Sequence, residues 1–253
     1  MSVHFGEKEY QGSELSKEDF YKLLKNTGDF PHTSQPSPQS FMNAFQEAMD
    51  NGEETVMITI SSELSGTYQG AVLARDMLEY NNCYIVDSLS ATVGERILVE
   101  YAVKLRDEGK TAVEIVSALE ALRSKITICA CVDTLEYLHK GGRISGASYA
   151  VGTLAHVKPI ITVTPEGKVD TLGKAIGKVK GIRFICERLE SSKPDLNYPI
   201  YLVYSDTREN AMRLMDSLKK QGLEIPEENM VHIGPVIGTH VGPDAFGIVY
   251  ISE

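Results

Sequence analysis

Hydroxyl side chains are concentrated in two short segments that contain no lysine or arginine. The first is Thr33-Ser34-Gln35-Pro36-Ser37, and the second is Ser61-Ser62-Glu63-Leu64-Ser65-Gly66-Thr67. Hydroxyl and backbone N–H groups can donate hydrogen bonds to an anion, and a helix N-terminus favours negative charge. Donors without a cation suit a carboxylate better than a polyphosphate. If the two segments converge, they form a small pocket for a carboxylate.

The elements that flank these segments predict how the hydroxyl groups are positioned. The apolar run 56–60 is typical of a buried strand, and a helical pattern begins at Tyr68. Ser65 is therefore predicted in a strand–turn–helix junction. The first segment precedes a predicted helix at residues 41–51. Because hydroxyl residues at helix N-termini also act as structural caps, capping remains an alternative role for Thr33, Ser37 and Ser65.

Length, charge and cysteine usage restrict the class of protein. The chain has 253 residues, 42% of them hydrophobic, and a net charge of −10. The acidic balance argues against a nucleic-acid partner, which requires clustered lysine and arginine. The four cysteines lack CxxC spacing, so we expect buried thiols and no metal site. With no visible signal peptide and no spanning apolar run, we expect a cytoplasmic protein without stable membrane insertion.

The order of elements predicts an α/β fold with two domains. Residues 1–125 alternate strand and helix as a parallel sheet does, whereas residues 126–253 show an α+β pattern with a hairpin. A ligand cleft is expected between the two domains. We predict strands at 55–60, 83–87, 126–132, 159–163, 168–172, 200–205, 230–233 and 247–251, and helices at 20–26, 41–51, 68–81, 91–108, 111–124, 134–139, 145–156, 178–191 and 208–221.

Six motifs in this order resemble the DegV family along nearly the whole chain. They are Thr33-Ser-Gln-Pro-Ser37, Ser61-Ser-Glu-Leu-Ser-Gly-Thr-Tyr-Gln69, Asp87-Ser88, Thr134-Leu-Glu-Tyr-Leu-His-Lys-Gly-Gly-Arg-Ile-Ser145, Lys158-Pro159 and Gly234-Pro-Val-Ile-Gly-Thr-His240. The resemblance implies a two-domain protein that holds one long-chain, palmitate-like fatty acid with its tail buried. Some members serve as the FakB binding subunit of a bacterial fatty acid kinase and present the carboxylate to an ATP-dependent subunit.

Carried over by position, the resemblance implies the residues of a non-catalytic binding site. Thr33 and Ser65 are the implied carboxylate ligands, and His240 is expected near the head group. A protonated His240 would add electrostatic attraction. Residues 1–125 would carry the head-group loops, and residues 126–253 would cover the acyl chain. No cofactor is implied besides the bound fatty acid. The residues implied in a secondary polar network with His240 are Ser34, Ser62 and Gly66.

The sequence departs from the family pattern at two places. Members usually open with a strand that ends in a Thr-Asp-Ser turn, whereas this chain opens with Val3-His4-Phe5-Gly6. Either the chain is shortened or its sheet lacks the first strand. Ile176 stands where an arginine is often found. The chain therefore resembles the broad family better than the kinase-coupled branch.

Other functions and roles remain open from the residues alone. Ser65 and His240 could serve a serine hydrolase with Asp244 as the acid, although Glu63 occupies the first glycine position of Gly-x-Ser-x-Gly. His240 could instead be a core or loop histidine. The run 140–143, Lys-Gly-Gly-Arg, could be a helix C-cap or a surface that docks a partner.

Overall fold

The computed structural model describes residues 1–12, 14–28, 30–146, 149 and 156–253. These residues form two compact units. Unit 1 comprises Met1–Ser34, Thr127–Thr164 and Val169–Glu253, and unit 2 comprises Gln35–Ile126 and Pro165–Lys168. The predicted mixed α/β fold is confirmed, with parallel and antiparallel strand pairs.

The helices and strands follow one another in this order: β1 (Ser2–Phe5), β2 (Lys8–Gln11), α1 (Lys17–Thr27), β3 (His32–Ser34), α2 (Pro38–Asp50), β4 (Thr55–Thr59), α3 (Thr67–Met77), β5 (Cys83–Asp87), α4 (Val93–Asp107), α5 (Ala112–Arg123), β6 (Ile126–Cys131), α6 (Glu136–Lys140), β7 (Val157–Val163), β8 (Val169–Ile176), α7 (Gly177–Ser191), β9 (Tyr201–Tyr204), α8 (Glu209–Lys220), β10 (Met230–His232), α9 (Pro235–Val241) and β11 (Phe246–Ile251). A short 3₁₀ turn at Glu227–Asn229 precedes β10.

Unit 1 is built around a six-stranded sheet in the order β10-β9-β11-β6-β7-β8. Strand β11 is buried along its whole length, as expected for an apolar strand with neighbours on both sides. Helices α7 and α8 contribute Ile185 and Leu214 to a core cluster that contains Ile160 and Leu202 of the sheet. This cluster is the main hydrophobic core of unit 1.

A second, three-stranded sheet of unit 1 has the order β2-β1-β3. The antiparallel pairing of β1 with β3 sets Val3 opposite Thr33. Behind this sheet, Phe20 and Tyr21 of α1 pack against α9 at Gly238, where a Cβ would lie 2.7 Å from both aromatic side chains. The hydroxyl group of Tyr21 also donates to the carbonyl oxygen of Ile233 at 3.1 Å. These contacts fix α9 in unit 1.

Unit 2 contains the parallel pair β4–β5 and helices α2 to α5. Ser37 caps α2 by accepting from the N–H group of Ser40. Thr111 and Glu114 form the predicted capping box at the start of α5. The turn after β4 is held by Ser61, whose hydroxyl donates to the carbonyl oxygen of Gly167 at 2.8 Å.

Every predicted helix and strand that lies within the described residues is present, with ends displaced by a few residues. The helix predicted at 145–156 falls mainly on residues outside the described set. The structure adds four elements that the sequence pattern did not predict, namely β1, β2, β3 and α9. No helix of the described residues is long and apolar enough to cross a membrane.

The two compact units differ from the predicted division at residue 125. Residues 35–126 form unit 2 almost as expected, but Met1–Ser34 belong with the C-terminal part of the chain. The physical reason is the packing of α1 against α9, which buries Phe20 and Tyr21 completely or nearly so. As a consequence, Thr33 lies in the same unit as His240.

Two isoleucines on neighbouring strands provide a matched test of the unit 1 core. Ile160 on β7 is fully buried, whereas Ile176 at the end of β8 is 65% exposed. We expect Ile160→Ala to lower the free energy of unfolding by about 2–5 kcal/mol, because it leaves a cavity in the core. Ile176→Ala should change it by less than about 0.5 kcal/mol. Chemical denaturation measures both, and equal losses would contradict the packing described above.

Candidate functional site

The side chains of Thr33 and His240 meet in unit 1. Thr33 Oγ1 lies 2.9 Å from His240 Nε2, although the residues are 207 positions apart in sequence. His240 is 9% exposed and Thr33 is half-buried, so the pair is partly removed from water. Two of the three residues that we predicted at the centre of the site are therefore in direct contact.

Local structure explains how each side chain reaches this position. Thr33 is the middle residue of the short strand β3, and its neighbours His32 and Ser34 point to the opposite, exposed face. His240 lies in the last turn of α9. Helix α9 begins with Pro235, which fits the first turn of a helix because its missing N–H group is not needed there.

The environment of His240 favours the neutral imidazole. Burial, and to a lesser extent the positive charge of Arg143, lowers the pKa of His240 from 6.5 to about 4. At pH 7 this lowered pKa favours the neutral ring and speaks against the expected attraction from a protonated His240. The cation next to the site is Arg143, which is half-buried.

The second ring nitrogen of His240 bears on the hydrolase alternative. Nδ1 is buried and has no hydrogen-bond partner among the described residues. In a catalytic triad this nitrogen donates to a carboxylate that orients the ring. Asp244, the acid considered for that role, instead forms an ion pair with Lys178 at 3.0 Å. The described residues thus do not supply the third group of a triad.

Ser65 lies in unit 2, in the turn between β4 and α3. Its Oγ is 2.8 Å from Thr67 Oγ1 and accepts from the N–H group of Thr67 at 3.3 Å. The N-cap position of α3 is Gly66, which makes no side-chain cap. Ser65 therefore precedes the cap, and its hydroxyl group serves the first N–H of the helix from just outside it.

The side chain of Gln35 lies against Gly66. A Cβ at residue 66 would overlap Oε1 of Gln35, and the same amide group lies near Gly70 one turn further along α3. Gly66 has φ −69°, which other residues adopt freely, and Gln35 is exposed, so its amide group would have to shift to make room for a side chain there. We did not single out Gln35 from the sequence, where it was one residue within a motif.

The remaining predicted residues of the polar network lie in two separate places. Ser62 donates its N–H group to Asp87 Oδ1 at 3.2 Å, so it belongs to the turn between β4 and α3. Ser34 Oγ lies 2.9 Å from His4 Nε2 on the exposed side of β3. The structure therefore does not bring Ser34 together with His240. The alternation of side chains along a strand accounts for this, since Thr33 and Ser34 are neighbours.

No group of three or more His, Cys, Asp or Glu side chains within the described ranges could hold a metal ion. The four cysteines are buried and free. Burial raises the pKa of Cys129 and Cys131 to about 12, so both thiols are protonated at pH 7. The groups that meet at Thr33 and His240 are a hydroxyl and a neutral imidazole, both of which form hydrogen bonds.

Comparison with known proteins assigns the chain to a family. The sequence model of the DegV family matches residues 1–253. A DegV domain-containing protein of Lactococcus lactis, YteA, is 36% identical over 261 residues, which covers 100% of this chain and 89% of the relative. The chain therefore belongs to the DegV family.

Two solved structures of family members resemble the fold closely. The first is a DegV family protein from Thermus thermophilus, whose description names fatty acid binding. It has a TM-score of 0.88 and 30% sequence identity, and the match covers 100% of this chain and 90% of that one. A stearic acid-binding protein from Eubacterium ventriosum has a TM-score of 0.87 and 26% identity, covering 99% and 89%.

The low pKa of His240 predicts a pH dependence of stability. Below pH 6.5 the unfolded chain binds a proton at this residue, whereas the folded protein does so only near pH 4. Stability should therefore fall as pH falls from 6.5 to 4, by roughly 3 kcal/mol from this residue. Denaturation of wild type and His240→Asn across this range should show a shallower slope for the variant.

An exposed histidine provides the control for this measurement. His32→Asn removes an imidazole from the surface strand position next to Thr33. It therefore controls for the replacement of a histidine by asparagine outside the contact with Thr33. If His240→Asn keeps the wild-type slope, then His240 is not held neutral by its surroundings.

Proposed function

We propose that this protein binds one long-chain fatty acid, palmitate-like in length, and holds its carboxylate with the hydroxyl groups of Thr33 and Ser65. The observation that carries the proposal is the partly buried contact of Thr33 with His240 at 2.9 Å. Support comes from the similar proteins of Thermus thermophilus and Eubacterium ventriosum, whose descriptions name fatty acid and stearic acid binding.

Which ring nitrogen of His240 carries the proton decides whether the Thr33 hydroxyl group can donate to a ligand. A neutral imidazole carries one proton, and a carboxylate only accepts hydrogen bonds. If Nε2 carries that proton, it donates to Thr33 Oγ1, and the Thr33 hydroxyl proton is available to the carboxylate. We therefore assign the proton to Nε2 in the fatty acid complex. His240 acts there by orienting the Thr33 hydroxyl group.

Ser65 can donate to the carboxylate for a similar reason. Its oxygen receives the N–H group of Thr67 and lies 2.8 Å from Thr67 Oγ1. When the Thr67 hydroxyl donates to Ser65, both acceptor positions of the Ser65 oxygen are used. The proton of Ser65 is then directed to the ligand. Each bond to a charged acceptor contributes about 1.5–3 kcal/mol.

The acyl tail provides the larger part of the affinity. Each buried CH₂ contributes about 0.8 kcal/mol, so a palmitate-length chain gains on the order of 10 kcal/mol before ordering costs. The polar groups therefore fix the orientation of the fatty acid, while tail burial determines how tightly it binds.

The biological role that we propose is a non-catalytic lipid carrier in bacterial fatty acid metabolism, acting in the cytoplasm. Hydroxyl donors leave the carboxylate chemically unchanged, so a bound fatty acid could be presented to a separate ATP-dependent fatty acid kinase. Ile176, which stands where an arginine is often found in the family, is 65% exposed. An exposed isoleucine offers no charge to such a partner, which favours the carrier over the kinase subunit.

The first test asks whether the protein carries a fatty acid. Native mass spectrometry of the purified protein should show one acyl chain per monomer, or one after addition of palmitate. Calorimetry should detect binding of palmitate and a weaker response to hexadecanol, which has the same tail without a carboxylate. A protein that stays empty in the presence of palmitate contradicts the proposal.

The second test asks which hydroxyl groups bind the carboxylate. Thr33→Val and Ser65→Ala should each weaken palmitate binding roughly 10- to 100-fold, because each removes one donor to a charged acceptor. Thr33→Ser keeps the hydroxyl group and should bind nearly as the wild type does. Ser37→Ala is the matched control within the same motif, since Ser37 caps α2. Unchanged affinity in both Thr33→Val and Ser65→Ala would place the head group elsewhere.

A further inference from the structure

The two adjacent glycines after α6, Gly141 and Gly142, have different backbone conformations. Gly142 has φ +72°, in the left-handed region that favours glycine. Gly141 has φ −74° and ψ −8°, a right-handed helical conformation that any residue adopts. The backbone therefore explains one of the two glycines and leaves the other unexplained.

The turn itself is a Schellman motif, which accounts for Gly142. The N–H group of Arg143 donates to the carbonyl oxygen of Leu138 at 2.8 Å, and that of Gly142 donates to the carbonyl oxygen of His139 at 2.9 Å. This pair of bonds requires a left-handed residue directly after the helix C-cap. The helix-capping interpretation of the Lys-Gly-Gly-Arg run is thus confirmed, and it makes no demand on residue 141.

The side chain of His240 explains why residue 141 is glycine. A Cβ at this position would overlap His240 Nδ1 and lie 3.0 Å from His240 Cε1. The same Cβ would be 3.0 Å from the carbonyl oxygen of Tyr137. Only glycine allows the imidazole ring to lie against the turn in its present position.

The Nδ1 edge of the His240 ring is held by packing. Nδ1 has no hydrogen-bond partner within the described part of the chain, whereas Nε2 on the opposite edge meets Thr33. Gly141 itself is fixed, because the guanidinium group of Arg143 donates to its carbonyl oxygen. The turn after α6 is therefore a rigid surface on which the imidazole rests.

We propose that Gly141 is a positioning residue for His240, and that its missing side chain is what allows Nε2 to reach the hydroxyl group of Thr33. Its effect on ligand affinity rests on the proposed function, whereas its effect on His240 does not. A side chain at residue 141 displaces the imidazole toward solvent. The Thr33 hydroxyl then loses the group that orients it.

The test follows the titration of His240 by NMR in protein without added fatty acid, using Gly141→Ala. Because burial lowers the pKa of His240 to about 4, we expect wild-type His240 to titrate near that pH, and displacement toward water should raise this midpoint toward that of an exposed histidine, about 6.5. A midpoint that stays near 4 in a folded Gly141→Ala variant overturns the proposal.

Two neighbouring glycines supply the controls. Gly142→Ala strains a left-handed position with no atom within 4 Å of the added Cβ. It should lower the midpoint of chemical unfolding without moving the His240 titration. Gly234→Ala, at the N-cap of α9, has φ −78° and open space around its Cβ, so it should leave the His240 titration unchanged. If Gly142→Ala moves the titration as far as Gly141→Ala does, then the turn as a whole is responsible and the proposal fails.

A double variant keeps the test decisive if Gly141→Ala does not fold. Removing the imidazole in Gly141→Ala/His240→Ala leaves room for the methyl group, so this variant should fold. Failure of the double variant would locate the clash at the Tyr137 carbonyl group and overturn the proposal.

A second measurement, palmitate affinity, separates the proposed fatty acid binding from the positioning role of Gly141. Gly141→Ala should weaken binding about tenfold, as His240→Ala does, and should add nothing in the His240→Ala background. A further loss in that background overturns the positioning role. If wild type does not bind palmitate, the proposed function fails while the NMR titration still decides the role of Gly141.

Discussion

The partly buried contact between Thr33 and His240 is the constraint on which the site of unit 1 depends. It joins a strand of three residues to a helix of seven, and elements this short have little stability of their own in water. Strand β3 exists because it pairs with β1, and α9 is held because Phe20 packs at Gly238. The hydroxyl group and the imidazole therefore meet only in the folded unit, and local sequence preference contributes little to their geometry.

Burial gives this contact its chemical character. The surroundings that exclude water also keep His240 neutral, since the pKa is lowered mainly by burial. A neutral ring can orient a hydroxyl group without adding a charge that would itself require compensation. Arg143 places a positive charge near His240, and its guanidinium group donates a hydrogen bond to the carbonyl oxygen of Gly141. Uncharged hydrogen-bonding groups with one positive charge nearby fit the single carboxylate of the proposed ligand better than several phosphate charges.

Much of the fold could be predicted from the sequence, because its longer elements carry their own signals. The apolar run of β5 was predicted with the observed ends, and the capping box of Thr111 with Glu114 marked the start of α5. Helix α9 could not be predicted, because it has only seven residues, contains Gly238, and takes its conformation from packing. The short strands β1 to β3 were missed for the same reason. The elements that escape prediction are therefore those that carry Thr33 and His240.

The Thr33–Ser37 motif shows that the partners of individual side chains could not be predicted from the sequence. Thr33 faces His240, Ser34 faces the exposed side of β3, Gln35 covers the start of α3, and Ser37 caps α2. Four polar residues within five positions thus have four different partners. Strand alternation separates the first two, and that separation is invisible unless β3 is known to be a strand. Resemblance to a family could indicate that Thr33 binds a ligand, but only the backbone shows why its neighbour Ser34, with the same hydroxyl chemistry, is directed elsewhere.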